Sequence, residues 1–478
     1  MNLKVVLKIV GRVLTMEAIV LLLPMIVALF YREDLTPFII SIILVLFIGI
    51  VLSSINATKE FFIREGFFTV GLIWIATGLV GALPFCFSGY FASFADCIFE
   101  SCSGFTTTGA SILTDIEALP KGILFWRSFT HWLGGMGVLV LATALIPTIG
   151  IRTKYLTQAE SPGPVFSKLV PKQAQTSKIL YTIYCALTLI EAVALRIAGM
   201  PWYDSFIHAF GTAGTGGFSN MNASVGAYNS MAIDMIISIF IILFSINFAV
   251  HFLLLTRRFR DALHSDELKF FFAIVTVATI LLSCNIRHLY PDWTQTFRFA
   301  FFHVCSIIST TGFSTTDWLY WPHFSQSIII LLMFCGACAG STGGGIKCSR
   351  ILILFRSIKR EIHHIIHPRS VEVIKLDGKV VEEKTIHSII VFIGCYILII
   401  FGVTTLITLD NVSFAEAFSA ALTSMSNIGP GLGKFGPAGN FSTLSGFSKC
   451  VLSFTMIIGR LEIFPVLVLI SPSAWKRL

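Results

Sequence analysis

Four stretches decide how this chain is read: SFADCIFESCSGFTTTGAS (Ser93–Ser111), PWYDSFIHAFGTAGTGGFS (Pro201–Ser219), TFRFAFFHVCSIISTTGFS (Thr296–Ser314) and SFAEAFSAALTSMSNIGPG (Ser413–Gly431). Written above one another without gaps, they align on Gly109, Gly217, Gly312 and Gly429. Fifteen residues before each glycine stands an aromatic residue, Phe94, Trp202, Phe297 or Phe414; thirteen before it stand Asp96, Asp204, Phe299 and Glu416. Each stretch opens on an apolar run too short to cross a bilayer, which takes about 20 residues. Each closes on Gly, Thr and Ser, or in the fourth on Gly and Pro. The pattern reads as a short re-entrant helix followed by an extended strand. Such backbone is tolerated at membrane depth only where protein buries it or it lines a watery cavity. Four copies imply a ring.

The rest of the chain supplies the membrane. Of 478 residues, 55% are hydrophobic and 13% charged, against roughly 25% charged in an average soluble domain. With a mean hydropathy of +0.83, this excludes an ordinary soluble enzyme. Apolar runs fall near 5–30, 36–55, 67–88, 124–147, 178–199, 230–255, 268–289, 323–356, 386–409 and 446–470. The expected architecture is an all-α membrane protein. A peripheral helix pair (1–58) is followed by four span, re-entrant loop, span repeats at 66–147, 178–256, 268–356 and 385–472, around a central pore. With a cytoplasmic N-terminus, most of the 34 Lys and Arg fall on the inner side, among them Lys59, Arg152, Lys154, Lys168, Lys172, Arg356, Lys359, Lys476 and Arg477. The outer connections carry acids such as Glu33, Asp115, Asp292 and Asp410. This is the bias that sets membrane topology. It also accounts for the net charge of +8 without nucleic acid as a partner. The N-terminal apolar stretch lacks a small-residue cleavage pattern and is read as a retained span. Cys335 and Cys338 form a CxxC with no second pair, read as packing, and no disulfide framework is expected.

Four re-entrant strands around one axis offer backbone carbonyls that replace the hydration shell of a monovalent cation. The candidate filter is Thr107, Thr108 and Gly109, Gly216 and Gly217, Thr311 and Gly312, Ile428 and Gly429. The carbonyls of Thr108, Gly216, Thr311 and Ile428 are the expected ligands of the transported ion. Glycine reaches positive φ without strain, so the carbonyls turn inward with no side chain in the path. Asp96, Glu100, Asp204 and Glu416 either favour the N-terminal dipoles of their helices or form an outer vestibule that collects cations; the sequence leaves both open. Gly134, Gly135 and Gly137 read as helix contacts. Arg127 reads as an outer-interface anchor or the partner of a pore-helix acid.

These motifs, with AGSTGGGIK (Ala339–Lys347), GRLE (Gly459–Glu462) and the extra N-terminal pair, resemble the Trk/Ktr/HKT superfamily of potassium transporters, and within it the Trk-type membrane subunit. The resemblance covers nearly the whole chain. It implies a multi-pass subunit of the bacterial inner membrane that takes up K+ with no organic cofactor of its own and pairs as a homodimer. Lipid surrounds it, and its inner face contacts cytosolic nucleotide-binding (NAD or ATP) regulatory subunits; no phosphate-binding Gly loop occurs in this chain. In the family, glycine at the filter position of every repeat goes with potassium preference and serine in the first with sodium transport in some plant relatives; here that position is Gly109.

The run Gly343, Gly344, Gly345 is a poor helix former, at about 1 kcal/mol per Gly relative to Ala, so the helix should break or be mobile there. The resemblance makes it an intramembrane gating loop and places Arg460 in the pore below the filter. Lys347 either lines the pore or opens the basic patch. Glu462, two positions from Arg460, faces poorly for pairing within the helix. His363, His364 and His367 lie in a basic segment read as a docking or headgroup-contact surface rather than a metal site. Two rivals remain in view. An Na+- or H+-coupled symporter on the same scaffold requires side-chain carboxylates at midplane, which the sequence does not single out. A multispan enzyme requires acids or histidines clustered at one face, whereas the acids here follow the repeat.

Overall fold

The computed structural model describes residues 3–56, 63–137 and 173–471, and within these the chain is almost wholly helical. The end of the fourth apolar run, 138–147, lies outside the described residues, as do Lys59, Arg152, Lys154, Lys168, Lys172, Lys476 and Arg477. The N-terminal pair is α1 (Leu3–Val20), continued by α2 (Leu22–Phe30), and α3 (Thr36–Ser53). α1 and α3 cross where Gly11 and Gly49 meet. A Cβ on Gly11 would stand 2.5 Å from Ser53 N, and one on Gly49 2.6 Å from Thr15 Oγ1. Small residues let backbones approach this closely, the usual basis of helix association in lipid. The outer face of α3, with Ile43, Phe47 and Ile50, stays exposed, as a lipid-facing surface should.

Then come α4 (Ile63–Gly81), α5 (Leu83–Ser88), the short helix α6 (Phe94–Phe105) and α7 (Lys121–Gly135). The second segment holds α8 (Gln173–Ile197), the short helix α9 (Trp202–Gly214), α10 (Met231–Ser245) and α11 (Phe248–Leu255), with α12 (Phe259–Leu263) as a connection. The third holds α13 (Asp266–Ile286), short helix α14 (Trp293–Ile308), α15 (His323–Phe334) and α16 (Cys348–Ile366). A hairpin of β1 (Lys375–Leu376) and β2 (Lys379–Val380) follows, packing Ile374, Leu376 and Val381 on Ile353 and Ile386. The fourth holds α17 (Glu383–Ile407), short helix α18 (Phe414–Ser426), α19 (Gly446–Arg460) and α20 (Phe464–Ile470). Three of the four short helices start where side chains cap them: Ser93 accepts from Asp96 N, Asp292 from Gln295 N, and Ser413 forms a capping box with Glu416; α9 follows Pro201 with no side-chain cap.

Six helices among the described residues are long and apolar enough to cross a membrane, or seven if the bent pair α10–α11 counts as one. The chain is a multi-pass membrane protein. Two runs expected to be continuous, 230–255 and 446–470, are broken. α10 and α11 meet at 96°. There the segment 335–347 inserts: Ser245 O accepts from Cys338 N at 3.0 Å, and Gly340 O accepts from Phe248 N at 3.0 Å. Asn247 caps the new helix through Ala249 N. α19 stops in a strained γ-turn. Ile463 has φ 70° and ψ −59°, and Phe464 N reaches Glu462 O at 2.8 Å. Hydropathy cannot register the first break, because the inserted backbone comes from a distant part of the chain; the second is local, with Pro465 in the first turn of α20.

Overfilling the α1–α3 crossing tests the packing. Gly49→Leu is expected to destabilise the chain by about 1–3 kcal/mol, read as a lower melting temperature in detergent. Ile43→Ala, on the exposed face, should leave that temperature unchanged.

Candidate ion pathway

All four short helices end in the same way. The residue two places before each aligned glycine takes the left-handed conformation: Thr107 (φ 56°), Thr215 (53°), Thr310 (64°) and Asn427 (56°). The next amide then folds back onto the helix. Thr108 N donates to Ser103 O at 2.9 Å, Gly216 N to Gly211 O at 2.8 Å, Thr311 N to Ser306 O at 2.8 Å and Ile428 N to Thr423 O at 3.0 Å. This is the Schellman arrangement, which satisfies a terminal carbonyl and reverses the chain. A β-branched residue at positive φ is unfavourable, so three threonines there mark strain of the kind that surrounding structure must impose. The sequence reading named Thr107 among the filter residues but passed over Thr215, Thr310 and Asn427; the signal available was a Thr or Asn two residues before each glycine.

The glycines have φ of 79°, 78°, 80° and 105°, and each abuts the carbonyl of the next segment. A Cβ on Gly109 would lie 2.0 Å from Gly216 O, on Gly217 2.1 Å from Thr311 O, on Gly312 1.9 Å from Ile428 O, and on Gly429 2.8 Å from Thr108 O. The contacts run first to second, second to third, third to fourth and fourth back to first, so they close a ring. The carbonyls met are those of Thr108, Gly216, Thr311 and Ile428, the four expected to face the ion.

The acids do scaffolding work. Glu100 is fully buried; its carboxylate accepts from Ser111 Oγ at 2.9 Å, from Ile112 N at 3.0 Å and from Arg127 Nε at 2.5 Å. Arg127 also donates to Ser219 O and lies 3.5 Å over the Phe218 ring. Of the two readings of Arg127, pairing with a pore-helix acid is therefore the one the structure contains. Asp96 is buried against Lys449 Nζ at 2.6 Å. Asp204 accepts from Asn220 Nδ2 at 2.8 Å and Tyr228 Oη at 2.9 Å. Glu416 closes its capping box and accepts from Lys434 N at 3.1 Å. The vestibule half of the expectation fits Asp96 and Glu100 poorly, since a carboxylate buried against its own cation attracts little from solution.

Below the ring sits the segment 335–347. Gly344 N donates to Thr310 Oγ1 at 2.7 Å. A Cβ on Gly343 would lie 2.8 Å from Ser309 O, and one on Gly344 2.5 Å from Ser426 O. The glycines are thus pressed against the inner ends of α14 and α18. Lys347 is buried and its ammonium donates to Gly343 O. It is not a surface residue of the basic patch. Arg460 spans the gap: Nη1 donates to Thr342 O at 2.8 Å, and Nη2 to Gly134 O at 2.6 Å and Gly135 O at 2.8 Å. The cation sits at the C-terminal end of α7, where the helix dipole favours it. Glu462 pairs with Arg350, in keeping with its poor placement toward Arg460. Gly134 and Gly135 are close contacts as read, with a Cβ on Gly134 1.8 Å from Phe105 O.

The symport rival required side-chain carboxylates at midplane, and the sequence reading singled out neither Glu17 nor Glu191, both of them buried in apolar helices. Glu17 on α1 is buried in a pocket lined by Val13, Met16, Val20, Thr77, Phe105 and Leu133. Neither of its oxygens has a hydrogen-bond partner among the described residues.

Residues 36–477 match the model of the family TrkH, cation transport protein. The Trk system potassium uptake protein TrkH of Salmonella typhimurium is 38% identical over 487 residues, covering all of both chains, and that of Escherichia coli K12 is 37% identical over the same span. TrkG of Escherichia coli K12 is 34% identical over 99% of each chain. The crystal structure of the potassium transporter TrkH from Vibrio parahaemolyticus superposes with a TM-score of 0.90 at 34% identity over the full length of both.

Removing one member of the buried pair leaves an uncompensated charge, which costs about 3–5 kcal/mol. Arg127→Ala is expected to lower the melting temperature in detergent sharply. The double variant Glu100→Ala/Arg127→Ala should recover part of that loss.

Proposed function

The chain belongs to the TrkH cation transport family, a family of transporters rather than enzymes, and from that premise we propose that it takes up potassium across the cytoplasmic membrane. Cations dehydrate onto the carbonyls of Thr108, Gly216, Thr311 and Ile428. They then pass a gate formed by the Gly343–Gly345 segment and Arg460. The ring in which each glycine admits the carbonyl of the next segment carries this reading. Carbonyl oxygens held by four separate Schellman turns can hold a spacing that suits one cation radius, because no single segment can shift without meeting its neighbour. Arg460 places a fixed positive charge beside the path and raises the barrier to cations. Its bond to Thr342 O links that barrier to the glycine segment, so that movement of one releases the other.

Two partners belong to the proposal: a second copy of the chain, and cytosolic nucleotide-binding subunits acting on the inner face. The second half of α16 supports such docking, since Phe355, Ile358, Ile362 and Ile365 are exposed on a helix that also carries Lys359, Arg360, His363 and His364. A second reading, coupling to a proton or sodium gradient, draws on the buried Glu17.

Expression in cells lacking potassium uptake should restore growth at low external potassium, with measurable rubidium flux. Failure of rescue with the regulatory partner present would overturn the reading. Gly109→Ser should reduce the preference for potassium over sodium, and Arg460→Ala should raise flux. The reversal of current in opposed potassium and proton gradients separates the two readings: a shift with the proton gradient establishes coupling.

A further inference from the structure

We propose that Glu267 is the positioning residue that holds the glycine segment in its present place, an inference that rests on the gate reading above. Glu267 lies in the first turn of α13, the opening span of the third segment, and only 8% of it is exposed. One carboxylate oxygen, Oε1, accepts from Ala339 N at 2.7 Å and from Ser349 N at 2.9 Å. These amides sit on opposite limbs. Ala339 belongs to the limb entering the glycine run, and Ser349 to the first turn of α16, which leaves it. The limbs also pair with each other at the neck, where Gly336 N donates to Ile346 O at 2.7 Å. Ser349 N is one of the helix-start amides that have no partner within the helix. An anion there gains from the dipole as well as from the hydrogen bond.

The neighbouring acid makes the same connection further along. Asp266 pairs with Arg356 of α16 at 2.9 Å. The start of α13 is thus bound to α16 twice, but only Glu267 also takes hold of the limb before the glycines. Bonds to an ionised acceptor are roughly twice as strong as neutral ones. One oxygen holding two amides therefore makes both limbs move together with α13 or not at all. α13 itself is fixed by the buried side chains of Phe271, Val275 and Leu282. Glu267 touches no part of the ring, so it acts on passage through the segment and not on ion choice.

The test uses the full chain in liposomes, with rubidium uptake measured without any partner protein. Glu267→Ala should raise basal flux about tenfold and Glu267→Gln by less, with the rubidium-over-sodium ratio unchanged. The segment carries its own reporters in the buried thiols of Cys335, Cys338 and Cys348. Their alkylation by a small maleimide, mapped by mass spectrometry, should accelerate in both variants. Unchanged flux and unchanged alkylation in a variant that melts like the parent would overturn the inference, and so would a lost ion preference, which would signal general disruption. Deleting Gly343–Gly345 separates this inference from the gate reading. If the deletion raises flux and the Glu267 variants do not, Glu267 has no positioning role. If the deletion leaves flux unaltered, the gate reading fails, and thiol alkylation alone decides whether Glu267 holds the segment.

Discussion

Between Gly312 and the Ile428 carbonyl there is no room for a methyl group, and the same steric limit recurs at Gly109 and Gly217. At Gly429 it is looser, 2.8 Å against about 2 Å elsewhere. This contact ties four segments, far apart in the chain, into one closed object. Each segment's carbonyl is seated against its neighbour's glycine, so its direction is fixed by the ring and not by its own residues alone. The strained threonines at the ends of α6, α9 and α14 are intelligible on the same footing. Each is held in a conformation that a β-branched residue avoids, and the return amide bond and the neighbouring segment hold it there.

The helices behind the ring are fastened to their outgoing strands by different chemistry doing equivalent work. Nine residues before the aligned glycine stand Glu100, His208, His303 and Ala420. Glu100 takes Ser111 Oγ and Ile112 N, His208 Nε2 meets Ser219 Oγ at 3.0 Å, and His303 Nε2 reaches Thr316 O at 3.1 Å. The fourth segment has only a methyl there. Ser419, one residue earlier, accepts from Leu432 N at 2.8 Å instead, the amide equivalent to Ile112 N. A buried polar strand end must find a partner, and each segment meets this demand with the residue it has. That is why Glu100, expected at an outer mouth, turns up as an internal strut.

Under the ring, glycine serves a second purpose. Gly343 and Gly344 let backbone press against the ends of two short helices; bonds from Arg460 and Glu267 reach the segment from two other elements, and Lys347 bonds to Gly343 O within it. The stretch has poor helix propensity and is held by these polar contacts together with the buried Cys335, Ala337, Cys338 and Ile346.

The sequence by itself determined the membrane class, the four aligned glycines and the interruption at Gly343. Composition, residue spacing and helix propensity are local properties, and each of these features is written in them. It also carried Arg127 with a pore-helix acid as one of two readings. Only the tertiary structure decided that the run 230–255 breaks between α10 and α11, that Glu100 and Asp96 are neutralised inside the protein, that Lys347 is buried, and that Glu17 and Glu267 are removed from solvent. Those outcomes depend on which distant backbone arrives beside a residue. Phe248 loses its helical partner because Gly340 is there to accept its N–H, and Glu267 gains its role because Ala339 and Ser349 both come within reach of one oxygen. A spacing rule has no access to such meetings, since they are made between segments and fixed by the packing of the whole.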